Sequence, residues 1–181
     1  MKITLAIMLV GASLGFTVAA QAATPDQKAA YANANDKAAT DYKAAAAQCN
    51  GITGNPKDIC IAEAKAARVQ TEGQAKAQLE GTVGARVNAR KDMADANYNV
   101  AKAKCASQNG NAKDVCDKEA KAALIAAKAD ATADKKVVDA RSDARDDKVT
   151  AEYKVALEKC DALAGPGKDA CVASAKSQYG K

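Results

Sequence analysis

Six cysteines fall into three pairs, each with the same eleven-residue separation, and each pair sits inside a segment that recurs at intervals of about 55 residues. The segments span 42–65, 98–121 and 153–176. Each opens on a tyrosine (Tyr42, Tyr98, Tyr153), has an alanine three residues on, and then the first cysteine. A glycine, a Lys-Asp pair, the second cysteine and an Ala-Lys pair follow in order: Cys49/Gly54/Lys57-Asp58/Cys60/Ala64-Lys65, Cys105/Gly110/Lys113-Asp114/Cys116/Ala120-Lys121 and Cys160/Gly165/Lys168-Asp169/Cys171/Ala175-Lys176. Every cysteine is used once.

Each segment carries the punctuation of a helical hairpin. Gly54 suits the left-handed residue that ends one helix, Asn55 can cap the next, Pro56 fits its first position, and Asp58 lies near its positive end. Gly110, Asn111 and Asp114 repeat these signals, and Gly165-Pro166-Gly167 precedes Asp169 in the third copy. The cysteines lie five residues before and six after the glycine, so on antiparallel helices they stand level. Six cysteines allow 15 pairings, but the repetition selects Cys49–Cys60, Cys105–Cys116 and Cys160–Cys171. Closing a loop of that size stabilises a fold by about 2 to 3 kcal/mol in the chain-entropy view. A zinc site would want closer cysteines and commonly His, of which the chain has none. A catalytic dithiol would also want its cysteines close together.

Composition makes helix the default, because about a quarter of the residues are alanine and Lys, Glu, Gln and Arg fill much of the remainder. Beyond residue 22 there are only 18 Ile, Leu and Val. A chain so poor in large apolar groups buries little and depends on added constraint. Residues 1–22 have the pattern of a cleavable export signal: Lys2, an apolar run from Ile3 to Val18, and Ala20-Gln21-Ala22 as the cleavage site. The remaining 23–181 form one expected helical domain with no membrane span, placed in the periplasm or secreted, where an oxidising environment suits disulfides. Removing Lys2 leaves 26 basic against 22 acidic residues. The two signs are interleaved, which marks solvated helix faces rather than a track for an anionic partner.

No Gly or Pro interrupts Asp117 to Lys159, which allows a helix of about 65 Å. Leu124, Ala127, Ala131, Val138, Val149, Tyr153 and Ala156 trace an approximate apolar stripe along it, and Ala127, Val138, Val149 and Cys160 recur every eleven residues, as in nearly straight helix packing of the coiled-coil kind. The matching stretch from Ile61 to Lys104 contains Gly73, Gly81 and Gly84, where a kink or break is expected. The expected fold is all-α: helices over 25–53, 56–108, 112–164 and 167–178. The two long central helices form an elongated antiparallel hairpin, with two shorter flanking helices packed at one end, a bare two-helix arm at the other, and disulfide-clamped turns. The three repeat tyrosines should pack at helix interfaces.

Without histidine, a phosphate-binding glycine loop or a serine nucleophile motif, the chain is expected to be no enzyme and to need no cofactor or metal. It lacks the basic stripe and aromatic platform of a nucleic-acid binder. The export signal, the Ala/Lys/Asp-rich body and segments such as 153–163, with the ending Gln178-Tyr179-Gly180-Lys181, resemble small exported helical proteins of Gram-negative bacteria, sometimes loosely labelled TolA-like. That resemblance covers nearly all of 23–181 and names no activity; the first expectation is a non-catalytic structural spacer or interaction module of the cell envelope, whose partner is an envelope protein or polymer. The TolA comparison rests on alanine and lysine content, and an energy-transducing role is not expected to transfer. The alternative expectation is a periplasmic binding protein or holding chaperone. Oligomeric state is left open by the sequence.

Overall fold

A computed structural model describes residues 23–181, so the expected export signal at 1–22 lies outside the described residues. Five helices follow one another: α1 (Pro25–Cys49), α2 (Asn55–Glu80), α3 (Val83–Cys105), α4 (Gly110–Asp161) and α5 (Gly165–Tyr179). Among the described residues there is no strand.

The start of α1 is set by local chemistry. The Thr24 hydroxyl accepts from the Gln27 amide at 3.2 Å while the Gln27 side chain accepts from the Thr24 amide at 2.8 Å, and Pro25 follows with φ already suited to a first turn. The helix ends at Cys49, where Asn50 and Gly51 are poor helix formers and the Asn50 and Ile52 amides close tighter turns onto Ala47 and Cys49.

The expected helix from Pro56 to about Gln108 is two helices. Gly81 (φ 63°, ψ 2°) adopts the left-handed conformation that stops α2, and its amide bonds the Ala77 carbonyl at 3.0 Å. Thr82 then caps α3 by accepting from the Ala85 amide at 3.0 Å. Of the three glycines that marked the region, only Gly81 breaks the chain. Gly73 remains helical, and a Cβ there would lie 3.3 Å from the Ala89 Cβ, so it lets α2 and α3 approach closely. Gly84 sits in the first turn of α3.

Each helix packs on its chain neighbours: α1 on α2, α2 on α3, α3 on α4, and α4 on α5; among the described residues no other helix pair is in contact. The core is consequently a set of seams lined by small side chains. Ala64, Ala75, Ala77, Ala85, Val87, Ala94 and Ala96 are buried along α2 and α3, and Leu124 and Ala131 on α4. The Asn55 amide nitrogen donates to the Ala103 carbonyl at 2.7 Å and Lys104 pairs with Glu63 at 2.8 Å, which brings the start of α2 beside the end of α3. The first two cysteine corners thus share one end of the molecule. Cys116 and Cys160 are separated by about 66 Å of helix, which puts the third corner at the other end.

The arrangement of two long helices with both short ones at one end therefore differs from what is observed. Only α4, with 52 residues and a length of about 78 Å, is long. Its first half is covered by α3 through Arg90–Asp134 and Lys128–Asp95, and its last turns by α5. The part of α4 between them, 140–148, is exposed on every side.

Candidate functional site

The chemistry-bearing residues gather at the three corners. The structure sets Cys49 against Cys60, Cys105 against Cys116 and Cys160 against Cys171 at disulfide distance, with Cα separations of 5.7, 5.6 and 5.6 Å. The first cysteine of each pair is fully enclosed, the second half-buried, and among the described residues no cysteine is free.

Repetition in sequence is repetition in environment. Ala64, Ala120 and Ala175, each four residues past the second cysteine, are all buried one turn beyond the bridge. Their neighbours Lys65, Lys121 and Lys176 are exposed. In the Lys-Asp pairs, Lys57, Lys113 and Lys168 are half-buried, whereas Asp58, Asp114 and Asp169 face solvent. Lys113 donates to Asp117 at 2.5 Å, and Lys168 pairs across its corner with Asp161 at 2.8 Å. The hydrogen bond to Asp117 and the charges of Asp117 and Asp114 hold the Lys113 ammonium above its ordinary pKa, with desolvation a weaker opposing influence.

The turn residues occupy different positions from those expected. The helices stop at or just after the first cysteine, so the reversals use residues 50–54, 106–109 and 162–164 rather than a tight turn at the glycine. Gly54 (φ 66°, ψ −154°) precedes α2 as its N-terminal cap instead of ending α1, in a conformation that is essentially glycine-only. Gly110 and Gly165 also have positive φ but are the first helical residues of α4 and α5. Asn55 and Asn111 lie within their helices and are not caps; Asn55 spends its amide on the next hairpin, at the Ala103 carbonyl. Asp58 is in a first helical turn as expected, while Asp114 and Asp169 lie one residue too deep.

Each repeat tyrosine is half-buried and meets a side chain from the following helix. Arg68 lies over the Tyr42 ring at 5.6 Å, Lys121 over Tyr98 at 5.5 Å, and Tyr153 tilts against Tyr179 with ring centroids 6.1 Å apart. Tyr179 lies outside the repeated pattern, and neither it nor Arg68 was expected to meet a repeat tyrosine. Both lie eight residues past a second cysteine, and antiparallel counting from the bridge would have placed them opposite a tyrosine seven residues before the first.

Two shallow grooves adjoin these corners. One of about 780 Å³ runs over α2 between α1 and α3, with Tyr42, Lys57, Arg68, Asp92 and Asp95 on its walls. Another of about 650 Å³ lies between α4 and α5 beside Tyr179 and Val155. Both present alanine floors with charges of both signs along the rims.

The fold and corners define a class in coarse terms: an all-α protein whose cysteines pair at disulfide distance and in which, among the described residues, no helix is long and apolar enough to cross a membrane. No family model, no curated protein and no solved structure matches the chain.

Proposed function

We propose that this protein is an exported, non-catalytic spacer and interaction module of the cell envelope, whose three helical corners are clamped by disulfides. The observation that carries this reading is the packing of every helix on its chain neighbours alone, with a long central helix reaching from one pair of clamps to the third. Such a chain holds two ends at a set distance and offers long helix faces to a partner protein or polymer. Paired cysteines suit an oxidising compartment, where they replace the constraint that an alanine-lined interior does not supply.

Small-angle scattering of the oxidised protein is the test of shape. A compact domain of this length has a radius of gyration of about 15 Å. The spacer reading expects a clearly larger value and a rod-like profile, and a compact sphere refutes it. Capture from envelope extract with the oxidised protein as bait then identifies the partner.

A holding-chaperone role is favoured by one observation, the exposure of Ile125, Val137, Val138, Val155 and Leu163 within the C-terminal part of the chain. Suppression of client aggregation by the oxidised protein supports that role, and no effect at molar excess removes it.

A further inference from the structure

Helix α4 has two apolar edges on opposite sides, and the chain covers only one. The inner edge holds Ala120, Leu124, Ala131 and Cys160, buried under α3 and α5. Residues two positions on from these lie about 200° around the helix. There Ala122, Ala133, Ala144 and Val155 recur every eleven residues, with Val137 and Ala140 between them, and all six are exposed. Val137 is 49% and Val155 54% exposed, and Ile125 beside the line is 59% exposed. An eleven-residue period keeps such an edge on one side of a nearly straight helix for about 50 Å.

Charges beside this edge indicate what covers it. From Ala133 to Lys148 five basic residues match five acidic ones, so this stretch attracts neither an anionic nor a cationic partner. The order of the charges is self-complementary. Lys136, Asp143 and Asp147 lie along the same side of the outer edge, and none of them joins an ion pair among the described residues. In two antiparallel helices related by a two-fold axis, the same side of each helix faces itself. With the axis passing between Ala140 and Arg141, Lys136 of each copy falls between Asp143 and Asp147 of the other. The same register sets Val137 against Ala144 and Ala126 against Val155, and small side chains permit the helices to approach closely. Arg141 meets its own copy at the centre, a cost on the rim where solvent screens it.

We propose that the outer edge of α4 is a homodimer interface in which two copies pack antiparallel about the 140–141 midpoint. The interface is centred on the stretch of α4 that neither α3 nor α5 covers. It does not depend on the spacer reading, because association is measured apart from any envelope partner.

Sedimentation equilibrium of the oxidised protein at micromolar concentration tests the proposal. A reversible dimer is expected. Lys136→Glu puts like charges together at two symmetry-related places and should raise the dissociation constant about tenfold. The triple variant Lys136→Glu/Asp143→Lys/Asp147→Lys reverses every sign and should restore the original value, a rescue that a merely structural effect does not produce. Val137→Glu with Ala144→Glu should give a monomer of unchanged helix content by circular dichroism, since both residues are exposed in the single copy. A wild-type protein that stays monomeric, or a dimer indifferent to both Lys136→Glu and the Glu pair, overturns the proposal.

Discussion

Removing the third bridge by Cys160→Ala with Cys171→Ala should release α5 while the other helices stay in place. The bridge closes a loop of eleven residues, for which the chain-entropy relation gives about 2.8 kcal/mol. At 1.4 kcal/mol per decade this is a rise of about a hundredfold in the undocked population. The effect should be local because α5 has little else to hold it. It is 15 residues long, near the length at which a helix alone is marginal in water, and apart from the bridge Ala175 is its only buried side chain. Val172 and Tyr179 are half-buried and add a partial contact. The α3–α4 corner is different: Leu124 and Ala131 are buried in that seam, and Arg90–Asp134 and Lys128–Asp95 cross it. Loss of Cys105–Cys116 should therefore lower global stability without freeing one helix. Amide hydrogen exchange distinguishes these outcomes. Protection over 165–179 should fall about a hundredfold in the third-corner variant, with 25–105 unchanged. If 165–179 keeps its protection to within a few-fold, side-chain contacts hold α5 and the reasoning from burial is wrong.

Gly81→Ala forces a side chain into left-handed backbone and should cost about 1 kcal/mol in thermal or denaturant melts, although the space around it is empty. Gly73→Leu meets Ala89 across the α2–α3 seam and should cost about 1 to 3 kcal/mol by overpacking. Asn55→Ala removes the bond to the Ala103 carbonyl and should lower stability by about 1 kcal/mol in the same melts, measured with all bridges intact. Lys113 has a folded pKa above its ordinary value of 10.5, so its pairing stabilises the protein below that pH and is lost as pH rises through the higher folded value. Asp117→Asn should bring the Lys113 titration, followed by NMR, back down towards the ordinary value.

Short-range chemistry made much of this protein legible in its residues. Alanine with Lys, Glu and Arg specifies helix turn by turn, and three equal cysteine separations around glycine-bearing reversals admit one pairing, because a bridge across a single corner needs no knowledge of distant parts. Gly73, Gly81 and Gly84 marked where the second long stretch would give way. Which of them would break it was decided in three dimensions: Gly81 had a carbonyl at Ala77 and a capping Thr82 to complete the stop, while Gly73 faced Ala89 and was wanted inside the helix. The tyrosine partners were obscured for a similar reason, since Arg68 and Tyr179 meet their rings only through the antiparallel register.

By itself, then, the sequence determined an all-helical chain with cysteine-paired corners and one uninterrupted helix near its C-terminal half. Tertiary structure decided that Pro56 to Gln108 would fold back on itself, that two corners would lie together with the third about 66 Å of helix away, and that one alanine edge of α4 would be covered and the opposite one left open. Propensity and capping act within a turn or two of each residue, so they can be read in order along the chain. The choice among alanine faces of nearly equal hydrophobicity rests on small packing differences between distant segments, and those are settled only when the helices meet.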